Sequence, residues 1–149
     1  KRKMLRSDLI VFTGADSLYG VSLEGAMKVW ETLQVASVGY EIEEGIHGPN
    51  YGYNHRHCVI VLNDGGRENN KNLALARYMK DVWNNGFVVG ENVVDDEDLQ
   101  FEVKTKDFCA LEFAPVVQII AYELAKTQGR DLYAHHDNSK MESYFKTHS

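Results

Sequence analysis

The sequence predicts an α/β domain, with a parallel sheet of about five strands layered between helices on both faces. Three observations carry this expectation. Leu9-Ile-Val-Phe-Thr13 and Cys58-Val-Ile-Val-Leu62 are short, continuously apolar runs, the pattern of strands buried on both faces. Each ends in a turn signal, Gly14 in the first case and Asn63-Asp-Gly-Gly66 in the second. Longer stretches with helical periodicity separate the strand-like runs. Strands alternating with helices imply right-handed crossovers and a three-layer αβα sandwich.

Taken in order, Leu9 to Thr13 is the first strand, and Asp16-Ser17 stand where a cap for the next helix is needed. That helix is expected from Leu18 to Leu33. At 100° per residue, Glu24, Lys28 and Glu31 form one polar stripe, with Leu23, Ala26, Met27, Trp30 and Leu33 on the neighbouring arc as its core face. Gln34 to Ile42 reads as the second strand and Cys58 to Leu62 as the third. Asn70 to Asn84 is helical through Leu73, Ala76, Tyr78, Met79 and Trp83, and Asn85-Gly86 stops it. Phe87-Val-Val89 is a fourth strand, and Leu99 to Val103 a fifth at the edge, after the acidic loop Asp95-Asp-Glu-Asp98. Phe113 to Thr127 is an apolar helix with Pro115 near its start, where proline is tolerated. From Arg130 the chain is a polar, aromatic tail.

The chain of 149 residues is read as one domain, 1–149, long enough to bury a full core. Its net charge of −6 disfavours nucleic acid or an anionic membrane surface as the main partner. No apolar run approaches a membrane span in this reading, and no signal peptide is visible, so a cytoplasmic location is expected. Cys58 and Cys109 sit in apolar contexts and read as reduced core thiols, a disulfide between them being the alternative. The start at Lys1-Arg-Lys, without an initiator Met, reads as a fragment of a longer protein.

For chemistry, two carboxylates and an ammonium in one stripe, followed by His47 in the turn Glu44-Gly-Ile-His-Gly-Pro49, contain the parts of a proton-transfer site. The plain alternative is an exposed helix face laced by ion pairs. His55, His57, His135 and His136 lack the Cys or carboxylate pattern of a zinc site, so no metal and no cofactor is expected. The glycine spacing from Gly14 to Gly20 matches neither a dinucleotide-binding nor a phosphate-loop signature. Tyr51 and Tyr53 either line a pocket or anchor the loop.

Gly14-Ala-Asp-Ser-Leu-Tyr-Gly-Val-Ser-Leu-Glu-Gly-Ala-Met-Lys28 resembles the Gly-rich turn and Leu-Glu-Gly-Ala-x-Lys helix of sugar isomerase (SIS) domains. In particular it resembles the C-terminal SIS domain of the isomerase half of glucosamine-6-phosphate synthases, and the related fructosamine-6-phosphate deglycases. Glu44-Gly-Ile-His47-Gly-Pro49 resembles that family's Glu-x-x-His-Gly-Pro motif, and Asp137-Asn-Ser-Lys140 its closing Asn-x-x-Lys tail, one residue shorter. The resemblance runs over the whole chain.

It implies a flavodoxin- or Rossmann-like SIS fold, forming the C-terminal half of a tandem-SIS protein with residues 130–149 as an extended tail. The sugar-phosphate-gripping loop would then lie in the other half. The implied activity is that of a phosphosugar isomerase or deglycase, moving protons through an enediol or enaminol on a sugar phosphate or fructosamine phosphate. Glu31 is implied as the carbon base, with Lys28 beside it to stabilise the enediolate. His47 is implied as the ring-opening or leaving-group acid, with Glu44 orienting it. Lys140 is expected to approach the sugar carbonyl on a closing tail, while Glu24 and Ser17 complete the substrate-binding set. The stripe is expected at the sheet's C-terminal edge, where open α/β sheets bind ligands. The resemblance also implies a homodimer or higher homo-oligomer in which the His47 loop of one subunit completes its neighbour's site. Gly-Ala-Asp where synthases commonly show Gly-Arg-Gly, Asn50-Tyr51 after the Gly-Pro turn, and a divergent tail lean towards a catabolic deglycase. A non-catalytic sugar-phosphate sensor, or a glucosamine-6-phosphate synthase isomerase domain, are the alternatives.

Overall fold

The computed structural model describes residues 2–134 and 137–145. Its centre is a five-stranded, all-parallel sheet in the order β2-β1-β3-β4-β5. The strands are β1 (Leu9–Gly14), β2 (Ala36–Glu41), β3 (His57–Asn63), β4 (Gly86–Gly90) and β5 (Leu99–Gln100). The helices are α1 (Arg2–Leu5), α2 (Ser17–Leu33), α3 (Ile42–Ile46), α4 (Asn69–Trp83), α5 (Cys109–Thr127) and α6 (Ser139–Glu142). Alternate residues of each central strand feed two cores, as the two-residue period of a strand requires. Ile10, Phe12, Cys58, Ile60 and Leu62 pack under α2 and α5. Val11, Val59, Val61 and Val88 pack under α4, with Ile42 and Tyr53. Both cysteines are buried free thiols.

The sequence expectation differs from the fold at several points. Leu23, Met27 and Trp30 are not core residues but about half exposed, and the buried stripe of α2 is Leu18, Val21, Ser22, Gly25, Ala26, Val29 and Leu33. The small residues decide this. A Cβ on Gly25 would lie 2.9 Å from the Phe12 ring, so α2 sits too close to β1 for larger side chains on that arc. Asp16 takes the N-cap position but makes no capping bond; its carboxylate pairs with Arg67 instead. The second strand ends at Glu41, and Ile42 to Ile46 turn into α3, capped by Glu41 accepting from the Glu43 amide at 2.6 Å. A short helix, α1, precedes β1, and α5 begins at Cys109, so Pro115 lies inside it. The carbonyl freed by Pro115 is that of Leu111, which is 73% exposed, where water can satisfy it.

The segment Lys106–Thr127 does have the length and mean hydropathy, 1.5, of a membrane span, contrary to the sequence reading. In the fold its Cys109, Phe113, Val117, Ala121, Leu124 and Ala125 face the sheet as the core stripe of α5.

Candidate active site

The polar stripe forms as its spacing requires. Lys28 Nζ lies 2.7 Å from Glu31 Oε2 and 3.7 Å from Glu24 Oε1. The Glu31 hydrogen bond raises the Lys28 ammonium above its usual range; partial burial opposes this and loses. Glu24 also accepts from Gln118 of α5 at 2.9 Å, so the neighbouring helix fixes one end of the stripe. Glu31 Oε1 has no hydrogen-bond partner among the described residues, and the side chain is half exposed.

The stripe does not stand at the C-terminal edge of the sheet. α2 leaves β1 at that edge and runs back antiparallel to the strands, so Glu31, near its end, lies towards the opposite edge. The position along the helix, rather than the motif, sets this. There Glu31, Thr32 and Gln34 line a shallow cleft together with Arg130, Asp131, Leu132 and Ala134 from the start of the tail. Arg130, which the sequence reading missed, donates to Gln34 Oε1 at 2.7 Å and to Gln128 Oε1 at 3.2 Å, with no carboxylate partner among the described residues. Gln34 reaches it because it closes α2 in the left-handed conformation, φ 57°.

His47 ends α3 at the other edge. β2 runs between the end of α2 and the start of α3, and its six residues set roughly 17 Å between them along the strand direction. One chain therefore does not bring His47 to its own Glu31. The imidazole is largely exposed, its Nδ1 2.8 Å from the Glu43 carbonyl oxygen and 3.3 Å from Glu43 Oε2. The carboxylate beside His47 is thus Glu43 rather than Glu44, because residues four apart share a helix face. Glu43 is held by Lys71, which also pairs with Glu68 at 2.9 Å. Arg67 continues the chain of charges, 3.0 Å from Glu68 and 3.3 Å from Asp16. The Lys71 hydrogen bond holds the Glu43 carboxyl below its usual range.

Ser17 is at the C-terminal edge, in the crevice between β1 and β3 where the strand order reverses, and its Oγ is 3.4 Å from Cys109 Sγ. Lys140 lies in α6, whose hydrogen bonds among the described residues are local to the tail. His135 and His136 lie outside the described residues. Among those described, no group of three or more His, Cys, Asp or Glu could hold a metal ion. Tyr51 is 90% exposed, whereas Tyr53 is buried under α3 and anchors the loop.

No protein-family model matches the chain. It is 28% identical over 134 residues to a glutamine–fructose-6-phosphate aminotransferase (isomerizing) from Sulfurisphaera tokodaii, a match covering 87% of this chain and 22% of that protein. The chain thus spans about a fifth of the length of the curated relatives it matches. A candidate phosphosugar isomerase from Clostridium difficile 630 superposes with a TM-score of 0.81 at 24% identity, over 95% of this chain and 41% of that one. A candidate sugar-binding protein from Salmonella typhimurium LT2 gives a TM-score of 0.72 at 29% identity, over 81% of this chain and 38% of that one.

Proposed function

We propose, from the premise that its homologues and structural neighbours are glucosamine-synthase-like and phosphosugar isomerase (SIS) domain proteins, that this chain is the catalytic SIS domain of a cytoplasmic sugar-phosphate isomerase or fructosamine-6-phosphate deglycase. The observation that carries the reading is the Lys28–Glu31 pair, with one carboxylate oxygen held at 2.7 Å and the other without a partner among the described residues, at the mouth of a cleft.

In this reading Glu31 takes the proton from the carbon beside the sugar carbonyl. The electron pair moves into a carbon–carbon double bond and onto the carbonyl oxygen, giving an enediolate or, with an amine at that carbon, an enaminol. Lys28 offsets the developing negative charge at short range. Glu31 then returns the proton to the adjacent carbon while the hydroxyl proton passes to the former carbonyl oxygen, so that the carbonyl moves one carbon along. With an amine there the product is an imine, which water hydrolyses to release the amine. His47 carries the proton of ring opening or of the leaving amine, and it belongs to a second subunit, since its own chain holds it at the opposite edge. Ser17, at the same edge as His47, contacts the substrate held at the other subunit's Glu31, and Lys140 approaches the carbonyl when the tail closes over Glu31. The tail begins in the same cleft, which supports that closure. Arg130 adds a cation not claimed by a described carboxylate.

A second reading, a sugar-phosphate sensor without turnover, is favoured by the likeness to a sugar-binding protein. Glu31→Gln in the full-length protein separates them. The enzyme reading expects intact sugar-phosphate binding with turnover reduced about 10²- to 10⁴-fold. Turnover equal to the unsubstituted protein would remove Glu31 from its role, and absence of turnover in both would favour the sensor.

A further inference from the structure

We propose that Glu43 is the positioning residue of His47, fixing which imidazole nitrogen carries the proton; this rests on the reading of His47 as a proton carrier. Nδ1 faces two oxygens of one residue, the Glu43 carbonyl at 2.8 Å and its carboxylate at 3.3 Å, and both are acceptors only. Nδ1 must therefore hold the hydrogen, which leaves the Nε2 lone pair on the exposed side of the ring, free to take a proton from a ligand. A neutral imidazole in water divides between two tautomers, so a bias of this kind presents the reactive nitrogen in one state.

The bias depends on Glu43 staying in place. Lys71 of α4 binds the Glu43 carboxylate and is itself held by Glu68, whose side chain is only 14% exposed. Glu68 is gripped in turn by Arg67, which reaches Asp16 in the turn before α2. These are the charged groups around the ring: Glu43 on its own helix, Lys71 and Glu68 on and before α4, and Arg67 beyond. Glu44, on the next position around α3, is exposed. A surface ion pair adds little to stability, but orientation of an exposed ring needs only a modest preference to matter. Carboxylate and carbonyl partners that orient metal-bound histidines change activity about 10- to 100-fold, and the same kind of orientation is at work on this ring.

Nitrogen NMR of the His47 ring in the full-length protein, above the pH at which the ring is neutral, tests this without turnover. The Nδ1–H tautomer is expected to dominate, to fall by about threefold relative to the other in Glu43→Ala, where the main-chain carbonyl at 2.8 Å is left as its one acceptor, and to be kept in Glu43→Gln, whose amide oxygen still accepts. An unchanged ratio in Glu43→Ala, or a shift produced by Glu44→Ala, would overturn the proposal. Turnover forms a separate arm: Glu43→Ala is expected to lower kcat roughly 10-fold or more with KM little changed. A tautomer that shifts while kcat holds would keep the positioning role and remove the catalytic reading of His47.

Discussion

Tyr53 is 5% exposed, and its hydroxyl has no hydrogen-bond partner among the described residues. Burial, with the nearby Tyr40 phenol, drives its pKa well above the usual value, so the hydroxyl stays protonated and still lacks an acceptor. A buried donor without a partner costs about 1–3 kcal/mol of desolvation. Tyr53→Phe is therefore expected to leave stability unchanged or raise it by up to about 1 kcal/mol, read as an equal or higher midpoint in chemical denaturation. A loss above 1 kcal/mol would mean the hydroxyl is anchored. Its neighbour in the motif, Gly45, packs against Thr13 with only 3.1 Å for an added Cβ, so the turn before His47 is fixed from below.

Among elements, α2 and β2 pack backbone against backbone. A Cβ on Gly39 would fall 2.7 Å from the Leu23 amide nitrogen and from the Ser22 carbonyl carbon. Backbone cannot swing aside as a side chain can, so Gly39→Ala is expected to cost at least about 1–3 kcal/mol. Gly20, in the same helix, has nothing within 4 Å of such an atom. Gly20→Ala is expected to gain about 0.5–1 kcal/mol through helix propensity. Thermal melts of the two variants should move in opposite directions.

The second lock is at β4. β5 pairs only with Val89 and Gly90, and where it is too short the Asp98 carboxylate takes over. It accepts from the Val88 amide at 2.9 Å, from Val94 at 2.8 Å and from Lys80 at 2.9 Å, with its side chain fully covered. Asp98→Ala leaves the Val88 and Val94 amides unanswered and takes from Lys80 the buried one of its two carboxylates, Asp95 remaining at 2.8 Å, an expected loss of about 3 kcal/mol, roughly 10 °C in Tm. Beside it, the Lys80 hydrogen bond lowers Asp95 below its ordinary value of 3.8. A carboxylate depressed in the folded state contributes stability above its unfolded value and loses it as pH falls through the folded one. Stability measured below about pH 4 should therefore fall less steeply in Asp95→Asn than in the unsubstituted protein.

At the scale of the whole molecule, the separation of His47 from Glu31 carries the strongest prediction. If the two act in one site, the site is shared between subunits across a two-fold interface. Leu23, Met27 and Trp30, exposed beside the stripe, give α2 an apolar border that such a contact would cover. Inactive Glu31→Gln and inactive His47→Asn full-length subunits, mixed under conditions that exchange them, are expected to recover about one intact site in two heterodimer sites. No recovery despite proven exchange would mean that the two residues do not share a site.

The strands, their order of appearance and the ion-pair stripe were legible in the sequence because they depend on local pattern: apolar runs such as Cys58 to Leu62, and spacings such as Glu24, Lys28 and Glu31. The motif residues were picked out by their resemblance to SIS-domain motifs, not by local spacing. Which arc of α2 faces the sheet was not, since Gly25 and Ala26 win that contact through closeness to Phe12, a property of two elements together. Nor was the acceptor of His47: Glu43 and Glu44 are equal in sequence, and only the turn of Ile42–Ile46 into a helix chooses between them. Arg130 beside Glu31 joins residues a hundred positions apart, and no local spacing encodes that. Local physics thus determined the parts. Tertiary packing decided their distances, putting Glu31 and His47 at opposite edges of one sheet.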